Sequence, residues 1–263
     1  MRELLVRALS GLVYTSAIIG STLYSKESFY LIFYLLMILC LFEFKNLIKL
    51  SYKWTFLVAT LIYFRFSNLP MLDFKYFHFF LIVSVFVPFI YQVLKPKVNL
   101  TSSKLGHYLL ALVYISIPFT LLVQIPFINN NYHPNVIIGF FILIWINDSF
   151  AYLVGSTLGK TKLYEKISPN KTIEGAFGGL LAAIIAAYFI SMYFTSLSYL
   201  NWTIIALITV IFGVLGDLME SKFKREAGVK DSGNLIPGHG GFLDRLDSVI
   251  FAAPFVYVYL HII

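Results

Sequence analysis

The sequence predicts an all-α polytopic membrane protein of about nine transmembrane helices, with a polar face at the cytoplasmic ends of helices 6, 8 and 9. Three observations carry that prediction. Of the 263 residues, 59% are hydrophobic and 13% charged, against about 45–50% and about 25% in soluble globular chains. Apolar runs of spanning length follow one another along the chain, and at about 20 residues per crossing nine of them take roughly 180 residues and leave roughly 80 for loops, which excludes a separate soluble catalytic domain. The lysines and arginines, finally, sort strongly to one side when the runs are taken as alternating spans.

The first run, at about 7 to 24, follows Arg2 and Arg7. Its basic start resembles a secretory leader, but eight apolar segments follow and no small-residue cleavage pattern does, so it is expected to be retained as a helix. Runs at about 28 to 44, 54 to 66, 76 to 94 and 105 to 124 contain few ionisable groups. Cys40 lies in the second; as the single cysteine it excludes an intrachain disulfide and a cysteine metal cluster. The remaining runs lie at about 134 to 154, 175 to 195, 201 to 218 and 246 to 262. With the amino terminus inside, 17 of the 20 lysines and arginines fall on that side and Lys26, Arg65 and Lys75 on the other. Basic loops stay cytoplasmic, which implies a multi-pass protein of the cell (inner) membrane. The net charge of +7 then reflects topology and contact with anionic membrane lipid, and no nucleic acid partner is expected.

One integral membrane domain, 1–263, is expected, with about 1–130 an apolar helical half and about 134–263 the half that carries the chemistry. Nine of the 13 acidic residues lie between Asp148 and Asp247. Homodimerisation through the less polar amino-terminal helices is compatible with this composition, although no residue pattern requires it.

From Gly216 to Ser248 a polar segment leaves one apolar helix and enters another. Asp217, Glu220, Ser221 and Lys224 recur at helical spacing, and Asp244, Asp247 and Ser248 do the same at the start of the last run. Charges at membrane depth usually line a cavity, pair, or hold an ion. Two carboxylate clusters on facing helix ends suit a hard cation such as Mg²⁺, which takes one or two carboxylates plus substrate phosphates; taken singly, Asp244 or Asp247 reads equally as a helix cap. Between the clusters, Pro237-Gly-His-Gly-Gly241 is either a plain turn or a nest of backbone amides for phosphate oxygens. His239 suits phosphate contact or proton transfer. Lys222, Lys224, Arg225, Lys230 and Arg245 are phosphate ligands or ordinary positive-inside residues.

A second polar region follows the sixth run. Asp148 and Tyr152 stand one helical turn apart beside Asn147, and Ser168, Lys171 and Thr172 offer two hydroxyls and a cation for a nucleotide phosphate. Glu174 suits a capping box at the next helix. Gly175 and Gly179 fit a small-residue helix-packing face.

Ser221, Lys224, Arg225, Lys230, Asp231, Gly233, Ile236, Pro237, His239, Gly240, Gly241, Asp244, Arg245 and Asp247 fill, without a gap, a pattern of 27 residues that resembles the signature of the phosphatidate cytidylyltransferases, or CDP-diacylglycerol synthases. Asp148 to Tyr152 (DSFAY) and Ser168 to Gly175 (SPNKTIEG) are similar to that family's pattern as well, with Asn170 standing where a basic residue is common. The first 130 residues resemble the family in hydropathy alone. The resemblance implies transfer of a cytidylyl group from CTP to phosphatidate, giving CDP-diacylglycerol and pyrophosphate for phospholipid biosynthesis. It implies catalytic roles for Asp217, Asp244, Lys224, Arg225, His239 and Asp247. It implies substrate contacts from Asp148, Ser168, Lys171, Thr172, Lys222, Lys230, Asp231, Gly240, Gly241 and Arg245. Mg²⁺, to which K⁺ is joined in the implied centre, would be held by Asp217 and Asp244.

Two other classes share the hydropathy. A CTP-dependent lipid-alcohol kinase would transfer the γ-phosphoryl group and release CDP in place of pyrophosphate. A transporter should carry polar or helix-breaking positions near the midplane of both halves, whereas here they crowd one end of one half.

Overall fold

The computed structural model describes residues 2–50, 54–66, 82, 85–91, 93 and 103–262. Helix α1 (Arg2–Tyr24) turns at Ser25 into α2 (Lys26–Leu47). The turn is closed by a reciprocal cap: Ser25 Oγ accepts from the Ser28 N–H and Ser28 Oγ from the Ser25 N–H, both at 3.1 Å. Helix α3 (Trp54–Phe66) follows. The fourth apolar run lies largely outside the described residues, as do Lys53, Lys75, His78, Lys95 and Lys97.

Helix α4 (Lys104–Ala111), a π-helical turn (Leu112–Ser116) and α5 (Ile117–Leu122) form one apolar rod. Pro118 explains the turn: it has no N–H for the Tyr114 carbonyl and its ring crowds that carbonyl, so the backbone widens there and the Ile117 N–H reaches back to Leu112. A hairpin, β1 (Phe127–Ile128) and β2 (Asn131–Tyr132), turns through Asn129 and Asn130 with φ of 50° and 63°. Helix α6 (Pro134–Leu158) leads to a second hairpin, β3 (Lys162–Tyr164) and β4 (Ser168–Thr172), then to α7 (Ile173–Tyr193), α8 (Tyr199–Ala227) and α9 (Leu243–Ile262). The protein is thus mostly helical, and the two small hairpins correct the expectation of an all-α chain.

Six helices among the described residues are long and apolar enough to cross a membrane: Val6–Tyr24, Lys26–Leu47, Leu105–Leu122, Pro134–Leu158, Ile173–Tyr193 and Tyr199–Ala227. Of the other three expected spans, the fourth falls mainly outside the description, Trp54–Arg65 is apolar but short, and α9 opens on Asp244, Arg245 and Asp247, so its apolar stretch is shorter than the helix.

Contacts between helix ends define the two ends of the bundle. At one end Tyr132 bonds to the Thr22 carbonyl, Tyr63 to the Tyr30 carbonyl, Tyr257 to Gln124 and Tyr259 to Asn201. At the other lie the start of α1, the ends of α2, α6 and α8, and the starts of α7 and α9. Helix α9 is sheathed by its neighbours: Leu243, Leu246, Phe251, Ala252, Ala253 and Val256 are fully buried. Helices α6 and α7 meet through glycine, as a Cβ on Gly175 would sit 2.6 Å from the Ala151 carbonyl oxygen and one on Gly179 2.8 Å from that of Asn147, which bears out their packing role. Phe177, Leu181, Ile185 and Phe189, spaced by four along α7, stay exposed as an apolar stripe.

Candidate active site

Helix α8 runs past its apolar stretch because Asp217, Glu220, Ser221 and Lys224 find partners there. Ser221 Oγ donates to Asp217 Oδ1 (3.2 Å), and Lys224 bridges Glu220 on its own helix to Asp244 Oδ1 of α9 (2.6 Å). The helix stops at Gly228, whose φ of 74° lets its N–H and that of Val229 turn back to the Arg225 and Lys224 carbonyls. Helices α8 and α9 come into close contact at Gly216, where a Cβ would lie 2.5 Å from Phe251 Cβ and 2.6 Å from the Asp247 carbonyl. That contact sets Asp217 beside the turn of α9 carrying Asp247 and Ser248.

The second polar region folds onto the first. Thr172 caps α7 by accepting the Gly175 N–H (3.1 Å). Glu174 makes no capping box: its carboxylate accepts from the Lys160 and Thr161 N–H groups (3.1 Å each) and pins the start of the β3–β4 hairpin. Lys171, on β4, thereby reaches across to form an ion pair with Asp217 of α8. Asp148, at the same end of α6, accepts from Asn147 Nδ2 (3.1 Å).

These elements enclose a cavity of about 650 Å³ whose wall includes Asp148, Lys171, Thr172, Asp217, Lys224, Asp231, Asp244, Arg245 and Asp247. Nine of the residues singled out by sequence therefore share one wall. Others do not reach it. Lys222 is buried and pairs with Glu226 (3.0 Å), Arg225 and Lys230 are exposed, and Ser168 sits in the hairpin. His239 lies against α1, its Nδ1 2.9 Å from Ser10 Oγ. Burial, aided by the nearby charges of Arg245 and Arg7, holds the pKa of His239 below the ordinary histidine value.

Two amides of the glycine turn are already engaged. Gly238 and Gly240 take φ of 73° and 83°, but the His239 N–H bonds to the Ile236 carbonyl (3.0 Å) and the Gly241 N–H to Asp244 Oδ2 (2.8 Å). Those amides are engaged in shaping the approach to α9. Ser232 also holds Asp244, donating its N–H to Oδ2 at 2.9 Å.

One participant was not singled out from sequence. Glu43 of α2, buried at 2% exposure, accepts hydrogen bonds from the segment that precedes α9. The available signal was a carboxylate inside an apolar run, which is a functional-site hypothesis by default.

Among the described residues no three His, Cys, Asp or Glu side chains form a ready-made metal cage. The carboxylates of Asp148, Asp217, Asp244 and Asp247 on one wall are nevertheless the hard oxygen donors that Mg²⁺ uses when substrate phosphates complete its shell.

The amino-acid sequence is similar to the phosphatidate cytidylyltransferase of Bacillus subtilis (strain 168), 38% identical over 217 residues that cover 82% of this chain and 78% of the relative. The enzyme of the same name from Staphylococcus epidermidis is 49% identical over 123 residues, 46% of each chain, and that of Staphylococcus aureus (strain COL) is 48% identical over 122 residues, again 46% of each. A family model described as the cytidylyltransferase family matches residues 5–263, and the chain belongs to that family.

Proposed function

We propose that the chain is a phosphatidate cytidylyltransferase, which transfers CMP from CTP to the phosphate of phosphatidate and releases pyrophosphate. Family membership and the named relatives support the activity. The observation that carries the site is the convergence of the two polar segments, joined by the Lys171–Asp217 pair, on one cavity lined by five carboxylates and several cations.

The phosphatidate phosphate is already a nucleophile, so no serine or cysteine intermediate is required. One of its oxygens attacks the α-phosphorus of CTP, the new P–O bond forms as the bond to pyrophosphate breaks, and catalysis reduces to positioning and neutralising charge. Lys171, Lys224 and Arg245 supply cations to the phosphates. Thr172 and Gly175 keep the β4 end of the cavity in place. Asp217 and Asp244 would hold Mg²⁺, with K⁺ as an additional cation, and the bound ion would neutralise the phosphate charges that these residues leave. Within the amino-acid pattern, Lys171 and Lys224 then exchange a carboxylate partner for a phosphate.

Nine spans with the amino terminus inside, a single membrane domain and a cytoplasmic cavity complete this reading. The charge count supports it, and so does the chemistry: CTP is cytosolic while phosphatidate keeps its acyl chains in the bilayer. Stoichiometry tests the reaction. One pyrophosphate should appear per liponucleotide formed; release of CDP with a phosphorylated lipid would overturn the proposal in favour of a kinase.

A further inference from the structure

Glu43 is buried near the carboxy-terminal end of α2, yet every group bonded to it lies 189 to 200 residues away in sequence. Its Oε2 accepts from the Leu243 N–H (2.8 Å) and from Ser232 Oγ (3.2 Å), and its Oε1 from the Phe242 N–H (3.1 Å). Phe242 immediately precedes α9 and Leu243 opens it, so two amides that have no partner within that helix are capped by a carboxylate from another helix.

The same segment holds Asp244. The Ser232 hydroxyl lies between the two carboxylates, 3.2 Å from Glu43 and 2.9 Å from Asp244 Oδ2, and the Gly241 N–H also donates to Asp244. There is no space for a side chain on either flank: a Cβ on Gly233 would lie 2.5 Å from Glu43 Oε1, and one on Gly241 would collide with Oε2. Two of the small positions in the 221–247 pattern are thus dictated by a residue far outside it. Glu43 itself is not among the residues on the cavity wall.

We infer that Glu43 is a positioning residue for the reaction: it fixes the 232–243 segment and the first turn of α9 so that Asp244 faces the cavity and meets Lys224. The inference rests on the proposed role of Asp244. Replacing Glu43 by glutamine keeps the shape but turns an NH₂ group towards an N–H donor, so the loop shifts without loss of bulk.

The test uses the full chain purified in detergent, with kcat and KM measured for Glu43→Gln, Asp244→Asn, Ser232→Ala and the Glu43→Gln/Asp244→Asn double variant. Glu43→Gln should lower kcat by about 10–100-fold, the range for groups that orient a reacting side chain, with the KM for CTP changed by less than about threefold. Combined with Asp244→Asn it should add almost nothing, because both act through one carboxylate. Normal kcat in Glu43→Gln beside an inactive Asp244→Asn would overturn the inference, and so would multiplicative losses in the double variant. Should Glu43→Gln fail to fold, Ser232→Ala decides: a severalfold fall in kcat at constant KM supports the coupling, and wild-type kcat refutes it. Full turnover in Asp244→Asn would remove the reading of the site along with the inference.

Discussion

The helices before residue 124 and those after residue 134 solve the same problem, filling a helical bundle, with different chemistry. In the first region aromatic rings pack against one another within an aliphatic core: Phe29 and Phe33 lie 4.8 Å apart, Phe44 and Tyr114 5.0 Å. In the second, helices approach through glycine at 175, 179 and 216, and side chains at one end carry charge. The charged groups there are tied to one another: Lys224 to Glu220 and Asp244, Lys171 to Asp217, Glu174 to the hairpin amides. The difference teaches that ionisable groups enter this apolar chain where backbone and side-chain partners are already fixed, and Glu43 is the point at which the ring-packed region joins that network.

The comparison breaks most severely at Lys224. Lys224→Met leaves fully buried Glu220 and the Asp244 carboxylate without their ammonium, and removing one member of a buried pair costs about 3–5 kcal/mol. Thermal unfolding in detergent should show that loss together with loss of turnover; an unchanged unfolding temperature would contradict the pairing. Next come Asp217→Asn and Asp244→Asn, which should lower turnover by on the order of a thousandfold, the scale of losing one element of electrostatic stabilisation at a reacting phosphate. Both should remain folded by size-exclusion elution, and near-normal turnover in both would refute their roles.

Phe33→Ala sharpens the contrast from the other side. Phe33 is fully buried against Phe29 and Phe141, so stability should fall by about 3 kcal/mol while kcat and both KM values per folded molecule stay constant. A selective change in either KM would show that ring packing and site are not separable. Lys171→Ala should raise the KM for CTP about tenfold, the size of one charge-assisted hydrogen bond, and raise that for phosphatidate less. An unmoved CTP value would refute the contact.

The smallest effect belongs to His239. Its pKa is held low in the folded chain, so the unfolded chain takes up the proton first on acidification. The associated stability is present above about pH 6.5, the ordinary histidine value, and is lost as pH falls through the folded pKa. His239→Gln should flatten the decline in unfolding temperature between about pH 7 and about pH 5, and an identical decline in both proteins would refute that assignment.

Much of this was legible in the sequence because polar residues stand out in an apolar chain. Asp148, Asp217, Asp244 and Asp247 stand out as carboxylates within or beside apolar runs, and they share a cavity wall. The partner of Glu43 was not legible, since nothing local joins residue 43 to residues 232, 242 and 243. The glycine turn reads from sequence as a plain turn or as free amides, and which holds depends on what faces each amide: Asp244 faces Gly241. Strands β3 and β4 are too short and polar to show alternation. The conformation of Ser168–Thr172 depends on Glu174, which closes the hairpin from the following helix.

The central claim is that both polar segments serve one cytidylyl transfer, and the most direct test is a product assay on purified protein with phosphatidate, α-labelled CTP and Mg²⁺, with and without chelator. Label should move into a liponucleotide with release of pyrophosphate, vanish on chelation, and fall together in Lys171→Ala and Asp244→Asn. Label remaining in soluble CDP, with no liponucleotide formed, would contradict it.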